Sequence, residues 1–366
     1  MRVLHLLAST GWGGAERIGC TLHRLAREHG HESFVDAPAL PAIVEGVERE
    51  SGDRLPGAAV EADLRRWVYG ALRRRRQFRP HVVHAHLAWP AYASTVSLIA
   101  GKAPLAVTFH LLPASDDNPQ RDFLLPIDCY RLLRWSRLAQ PRRTLVTVSQ
   151  ADAPRVARLF PADDVCAIQN VPPLPPRTSG TAPSVTWPED AVKLLSVGRL
   201  HAQKGFDRLL AALADPGVRA LRWHWVLIGD GQERSAIERA VEQNGLSSKI
   251  TVVGARPAHA AFAGADLVLS PSRFEGMPLV PLEGIEARVP VLLSRIPSHL
   301  ELLGDVPESF LPDDESQWPA HLGRLVAESD QRVRLLDRQA AVVPRLSRDR
   351  FWQSYARVYE NLVKGP

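Results

Sequence analysis

Apolar positions in this chain come in short bursts, and the spacing between bursts predicts the fold. Val3 to Leu7 is a strand-length apolar run. A glycine-rich turn follows, and then a segment from about Ala15 to Arg27 whose Ile18, Leu22 and Leu25 share one helical face. Ser33 to Asp36, His81 to His84, Ala106 to Phe109 and Leu145 to Ser149 have the same buried-strand character, with helical patterns between them. Such alternation implies a mostly parallel sheet with helices on both faces, because each parallel crossover needs a helix's length of chain.

The pattern breaks once. Six prolines and Gly180 fall between Asn170 and Pro188. No central strand or helix tolerates that density, since each proline lacks an N–H and has a fixed φ. The alternation then restarts, with strands at Val192–Val197, His224–Ile228, Ile250–Val253, Ala265–Ser270 and Pro290–Leu293 and helices at Gly205–Leu213 and Arg234–Glu242. The expected organisation is α/β: two doubly wound Rossmann-like domains, residues 1–172 and 190–345, joined by a proline-rich linker at 173–189 and facing a central cleft. Residues 346–366 read as a last helix, with Phe351, Tyr355, Val358, Tyr359 and Leu362 in one aromatic stripe. That stripe must pack either on the second domain's sheet or, crossing back, on the first domain.

A length of 366 residues exceeds one ordinary core and agrees with two domains. Apolar residues at 45% and charged residues at 23% suit a globular enzyme and exclude a disordered chain. No stretch reaches the length of a membrane span, and Met1-Arg2 leads into a strand and a glycine loop, not a signal peptide. Cys20, Cys129 and Cys166 are odd in number, far apart and without a CxxC spacing. They suggest neither a disulfide framework nor a zinc site, and a cytoplasmic location is the simplest reading.

The net charge of +5 is unevenly spread. Seven arginines and no acid lie between Arg65 and Arg79, and Arg131, Arg134, Arg137, Arg142 and Arg143 form a second basic group. Leu64, Trp67, Val68, Ala71 and Leu72 share one face of the first basic segment. Residues 64–79 therefore either lie peripherally on an anionic membrane surface or form a surface helix whose apolar side packs on the core. The arginine surplus favours an anionic partner such as a lipid-linked phosphate acceptor. Nucleic acid is not expected, because no aromatic platform or recognition module accompanies the charge.

Candidate chemistry gathers at strand ends. In Ser270-Pro271-Ser272-Arg273-Phe274-Glu275-Gly276-Met277-Pro278-Leu279-Val280-Pro281-Leu282-Glu283, a polar loop separates an apolar strand from a helix start. Glu275 falls in the loop and Glu283 on the helix, and the free N–H groups of the helix start between them suit an anion. Such a site fits a ligand with hydroxyls at both ends and phosphate in the middle, as in a nucleotide-sugar. Arg199 leaves one strand end and Lys204 precedes the next helix, and two cations at one mouth are electrostatically poor unless an anion binds there. Gly13 and Gly14 follow the first strand, either as a plain tight turn or as a backbone approach to a phosphate or sugar oxygen; the spacing is not a dinucleotide fingerprint. His110 ends another strand. His84 and His86 share a strand face, but no nearby acid or cysteine completes a metal set, so they read as lining or structural. Arg256 ends a strand that could face a nucleotide base, and Gly229-Asp230-Gly231 reads as architecture. No Walker loop, Gly-x-Ser-x-Gly elbow, His-Glu-x-x-His helix or Asp-x-Asp is present.

With these residues in place, the sequence resembles the GT-B retaining glycosyltransferases of family 4, the glycosyl transferases group 1. The signature is the E-x7-E of Glu275 and Glu283, supported by Gly13-Gly14-Ala15-Glu16, Ser196-Val197-Gly198-Arg199 with Lys204-Gly205, Ile228-Gly229-Asp230-Gly231 and Pro290-Val291. The resemblance implies a donor diphosphate clamp at Arg199 and Lys204. It implies sugar hydroxyls at Glu275, the backbone of Gly276, Met277, Pro278 and Leu279 at hydroxyls and phosphate, and ribose at Glu283. His110 matches the first-domain histidine near the reacting carbon. Transfer with retention, no required cofactor and no bound metal are further implications. Two departures stand out: Glu286-Ala287-Arg288-Val289-Pro290 where many members have Ala-x-Gly before the Pro-Val strand, and Gln169-Asn170-Val171-Pro172 where many have Asn-Gly-Val.

The expected function is therefore transfer of a sugar from a nucleotide-diphosphate sugar to a glycolipid, polysaccharide or other hydroxyl acceptor. A synthase using a small-molecule or sugar-phosphate acceptor is the alternative within the fold. A two-domain oxidoreductase is the alternative outside it, and the absence of a clean dinucleotide loop weighs against that reading. The acceptor pocket is expected in the first domain between Leu111 and Arg137.

Overall fold

A computed structural model describes residues 1–9, 11–55, 64–87, 93–112, 142–177 and 185–365. The chain forms two compact units, Met1–Gly180 with Ser347–Pro366, and Thr181–Leu346. The division falls inside the proline-rich segment, and the last helix counts with the first unit.

The first unit holds six strands: β1 (Arg2–Ala8), β2 (Glu32–Asp36), β3 (Val82–Leu87), β4 (Leu105–Phe109), β5 (Arg143–Thr147) and β6 (Asp164–Ala167). Their order is β2-β1-β3-β4-β5-β6, with every pairing parallel. Because side chains alternate across a strand, the register sorts them into two faces. Leu4 pairs with Val83, Leu6 with Ala85, and these continue to Leu105 and Val107, the apolar centre of one face. Helices Leu64–Phe78 and Ala93–Ala100 contribute Trp67, Ala71, Val96 and Ile99 to that core. The opposite face carries His5 paired with His84, and His86 paired with Thr108.

The apolar side of the arginine-rich helix is thus used within its own unit. Trp67 and Ala71 are completely buried, and Trp67 donates Nε1–H to Asp36 at 2.8 Å. Arg74 holds the same carboxylate at 2.7 and 2.9 Å, and Arg75 donates to the carbonyl of Ala100. Of the two readings of residues 64–79, the core-packed helix is the one formed, and its apolar face cannot also enter a bilayer. Arg66, Arg73, Arg76 and Arg79 remain exposed. In the second basic group, Arg143 is buried against Asp163, Arg142 is exposed, and Arg131, Arg134 and Arg137 lie outside the described residues. So does Cys129. Cys20 is a buried free thiol and Cys166 a partly buried one, and burial pushes both thiols up, away from the reactive thiolate. No helix among the described residues is long and apolar enough to cross a membrane.

The last helix, Arg348–Lys364, packs on the histidine-bearing face of the first unit. Phe351, Tyr355, Tyr359 and Leu362 are buried, Val358 is half-buried, and Trp352 adds to the stripe by stacking on His29 at 5.3 Å. The hydroxyls of Tyr359 and Tyr355 meet His84 and Thr108 at 2.7 and 3.2 Å. Arg348 donates to the carbonyls of Pro172 and Pro173, fixing the start of the helix against the end of the unit's main chain run.

The second unit holds β7 (Val192–Val197), β8 (Trp223–Ile228), β9 (Ile250–Val252), β10 (Leu267–Ser270) and β11 (Val291–Leu293). The order is β11-β10-β7-β8-β9, again parallel throughout. Strand order reverses between β7 and β10 here, and between β1 and β3 in the first unit. Loops diverge at such points and leave room for a ligand at the carboxyl edge.

One departure from the family pattern has a structural consequence. Helix Leu279–Glu286 ends at Ala287, and Arg288 follows in the left-handed region at φ 59°, with Val289 N–H bonded to Gly284 O at 2.9 Å. Glycine is favoured in this helix-ending position because a Cβ is strained there. Arg288→Gly is expected to raise stability by about 0.5–1 kcal/mol, measured as an upward shift of the denaturant midpoint at unchanged m-value. A lower midpoint would show that the arginine side chain holds the turn by other means.

Candidate functional site

In the second unit, the strand ends at the reversal between β7 and β10 bring together residues far apart in sequence. β7 runs into Gly198 and Arg199, and the following single turn, Ala202–Lys204, ends in Gly205. Gly205 has φ 65°, and a Cβ there would lie 2.2 Å from the carbonyl oxygen of Pro271. Only glycine allows this approach, which sets Lys204 against the loop after β10. Lys204 Nζ donates to Glu275 Oε1 at 2.5 Å. Ser272 donates to the same oxygen at 2.7 Å, and Gln203 Nε2 donates to Oε2 at 3.2 Å and to Phe274 O at 3.1 Å. Arg273 ties the two loops from outside through a bidentate pair with Asp207 at 2.6 and 2.7 Å.

The side chain of Glu275 is 7% exposed and that of Lys204 is 20% exposed. Sequence reasoning treated Lys204 as half of a cation pair awaiting an anion; in the folded unit its first anionic partner is Glu275. The aliphatic part of Lys204 lies over Gly198, beside the exposed Arg199. Gly276, Met277, Pro278 and Leu279 are all buried. Pro278 caps the helix Leu279–Glu286 with no side-chain hydrogen bond, and Pro281 in its first turn has no N–H. The amides of Leu279 and Val280 therefore open the helix uncapped. Glu283 sits one turn further along, half-buried. Arg256 lies past the end of β9, two strands from β7 and so about 10 Å across the sheet, with Nη2 donating to Val253 O at 2.6 Å.

Beneath the loop, His299 is fully buried on helix Pro297–Leu303, and its Nδ1 lies 2.8 Å from Ser294 O. Ser294 in turn donates its hydroxyl to Ser272 O at 2.5 Å and its N–H to Ser270 O at 3.0 Å. Sequence reasoning missed this support. A histidine two residues after a proline gives no signal until β10 and β11 are known to be neighbours.

In the first unit, Gly13 precedes helix Gly14–Glu28 in an extended conformation, in the turn that follows β1. Trp12 between the glycines is anchored away from the turn: its ring occupies the space a Cβ on Gly46 would need, and Arg49 lies over it at 5.7 Å. His110 follows β4 directly and is half-buried, its Nε2 3.1 Å from His86 Nδ1. His86 Nε2 is 3.1 Å from His5 Nδ1. His84, alongside, spans Tyr359 OH and Thr108 Oγ1 at 2.7 Å each. The expected acceptor region between Leu111 and Arg137 lies outside the described residues except for Leu111 and Leu112. A separate cavity of about 650 Å³ runs along the edge strand β2, lined by Arg27, His31, Asp53 and Phe78, away from these strand ends.

Burial holds all four clustered histidines well below their ordinary pKa, His84 and His110 at about 3. In the unfolded chain they titrate near 6.5, so between about pH 6.5 and 3 the unfolded state binds protons that the native state does not. Their contribution to stability is therefore present above about pH 6.5 and is lost as pH falls. From pH 7 to 5, the fully buried His84 should remove about 2 kcal/mol, with His5, His86 and the half-buried His110 acting in the same direction. That is a sizeable fraction of the whole stability of a domain, about 5–15 kcal/mol. Acidification to about pH 5 is expected to destabilise the first unit, read as a drop in Tm. An unchanged Tm over this range would contradict the burial.

Two parallel α/β units, each with polar residues at its strand-order reversal, define a two-domain transferase of the GT-B type. Family models agree. Residues 181–335 match the glycosyl transferases group 1, and residues 12–171 match glycosyltransferase family 4. The chain belongs to the group 1 glycosyltransferases of family 4. Among curated relatives, the D-inositol 3-phosphate glycosyltransferase of Segniliparus rotundus is 26% identical over 71% of this chain and 61% of that protein. The alpha-D-kanosaminyltransferase of Streptomyces kanamyceticus is 24% identical over 85% of this chain and 84% of that one. The match to the first of these spans about three fifths of its length. Among solved structures, Anabaena Alr3699/HepE in complex with UDP and glucose superposes with a TM-score of 0.75 over 99% of this chain and all of that one, at 16% identity.

Proposed function

We propose that this protein transfers a sugar, with retention and without a bound metal, from a nucleotide-diphosphate sugar to a hydroxyl acceptor. The observation that carries the reading is the network of Lys204, Glu275, Ser272 and Gln203 at a strand-order reversal, beside an uncapped helix start. Arg199 and Lys204 take the diphosphate, with the amides at Leu279 and Val280 adding donors where negative charge develops. Gly13 and Gly14 supply backbone at the corresponding edge of the first unit. Glu275 holds sugar hydroxyls, Glu283 the ribose, and Arg256 borders the base. The relative named for D-inositol 3-phosphate and the neighbour solved with UDP and glucose support a nucleotide-sugar donor and a polyhydroxyl or phosphorylated acceptor.

Both oxygens of Glu275 already accept hydrogen bonds, Oε1 from Lys204 and Ser272 and Oε2 from Gln203. A carboxylate so engaged is a poor nucleophile. It positions hydroxyls, and the departing diphosphate accepts the acceptor's proton on the face it leaves. The test is a calorimetric screen of UDP-, GDP-, ADP- and dTDP-sugars, followed by NMR of the product formed with lipid-linked, saccharide and sugar-phosphate acceptors. A retained anomer and turnover insensitive to EDTA are expected. An inverted anomer would overturn the same-face course, and reversible loss of activity in EDTA would overturn metal independence.

A further inference from the structure

We propose that His5 and His86 are positioning residues that fix His110 in its Nδ1–H tautomer through a line of ring-to-ring hydrogen bonds. The register creates the line. His5 is beside His84, His86 is two residues on and beside Thr108, and His110 is two residues beyond Thr108, so all four histidines stand on one face of the sheet. Helix Gly14–Glu28 accommodates them through Gly19, where a Cβ would lie 2.3 Å from Leu7 and 3.3 Å from the His86 ring.

Each neutral imidazole has one N–H. His86 uses Nδ1 toward His110 and Nε2 toward His5, so it must donate with one and accept with the other. Two arrangements satisfy this. In one, His5 Nδ1–H donates to His86, His86 Nδ1–H donates to His110 Nε2, and the proton of His110 is on Nδ1. In the other every proton moves to Nε2. His5 Nε2 decides between them, because it is buried with no hydrogen-bond partner among the described residues. An orphaned buried N–H is rarer than an under-used acceptor, so His5 is protonated on Nδ1 and the line is set from its buried end. Desolvation of the cluster keeps every ring neutral, so no second proton breaks the sequence.

Nitrogen atoms of His5, His84 and His86 also lie within 4.8 Å of one another, near enough to suggest a metal. Both His84 nitrogens are engaged by Tyr359 and Thr108, however, and those of His86 by its neighbours, which favours hydrogen bonding over ligation.

The effect on turnover rests on the transferase reading above, whereas the tautomer is a property of the ligand-free protein. Long-range ¹H–¹⁵N correlation on the full-length chain with labelled histidine should show protonated Nδ1 and bare Nε2 at His5, His86 and His110. His5→Phe removes the first donor. It should give His110 a mixture of tautomers and lower kcat about 10- to 100-fold, as loss of outer partners does at other oriented histidines, with KM for the donor little changed. His5→Asn, which offers an amide N–H near the Nδ1 position, should restore both readouts. An Nε2–H His110 in the wild-type protein, or an unchanged His110 tautomer in His5→Phe, would overturn the proposal. So would stoichiometric transition metal found by elemental analysis and lost in His5→Phe. The expected tautomer in a protein that transfers no sugar would retain the proposal and reject the functional reading.

Discussion

Lys204→Ala is expected to lower sugar transfer by about two orders of magnitude or more. Removing one charged arm from a clamp on developing phosphate charge costs roughly 2–4 kcal/mol of transition-state stabilisation, and each 1.36 kcal/mol is about a factor of ten in rate. The folded unit adds a second consequence. Lys204 is the only cation that the described hydrogen bonds give to the nearly buried Glu275, at 2.5 Å. Without it the carboxylate retains Ser272 and Gln203 but loses a charge-assisted bond, which costs about 1.5–3 kcal/mol of stability. Under the proposed function, a fall in kcat for Lys204→Ala would combine lost charge at the phosphate with displacement of the Glu275 carboxylate. Arg199→Ala separates the two, because Arg199 is exposed at the end of β7. It should show a similar fall in kcat with little change in Tm. Near-normal turnover by both variants would remove the clamp from the mechanism.

How much of this was legible in the sequence follows from where each residue's information resides. Strands such as Val3–Leu7 and Val192–Val197 are mostly apolar, with His5 in the first and Lys193 and Ser196 in the second as their polar positions, and such a predominantly apolar run of strand length is visible without any partner. β6 was missed since Asp164–Ala167 is a short edge strand, exposed or only half-buried along its length. Helix Pro41–Ser51 escaped because few of its residues, chiefly Ile43 and Val47, carry the apolar period. The loop from Ser270 to Glu283 was readable as a ligand site, since strand, polar loop and helix are contiguous. The bond from Lys204 to Glu275 was not, because it joins positions 71 apart that meet only when β7 and β10 are neighbours. The histidines gave the least. His110 stood out at a strand end and His84 and His86 read as lining or structural, but His5 gave no signal, and only the order β1-β3-β4 makes a line of His5, His86 and His110. The destination of the last helix was likewise open. An aromatic stripe announces that it packs, but the phenol hydroxyls of Tyr355 and Tyr359 find their partners on β3 and β4.

His110→Ala is expected to leave donor affinity nearly intact and to lower kcat about 10²–10³-fold, the range for a positioned polar donor that acts in the transition state. The structure sharpens the reason. His110 Nε2 is held by His86 at 3.1 Å, so the proposed contact with the sugar falls to Nδ1. Desolvation lowers the ring's pKa to about 3, so in the proposed role it is expected to serve at neutral pH as a neutral, fixed hydrogen-bonding group and not as an acid that exchanges its charge. Two consequences separate this role from general acid–base catalysis. The kcat of the wild-type enzyme should show no ionisation near pH 6.5 that disappears in His110→Ala. The loss in that variant should also be of similar size at pH 6 and pH 8, both above the transition of the native histidine. A general base of ordinary pKa would instead give a loss that shrinks toward low pH, where its protonated form is already inactive. That profile, or an unchanged kcat in His110→Ala, would take the reacting end of the sugar away from this residue while leaving the Lys204–Glu275 site standing.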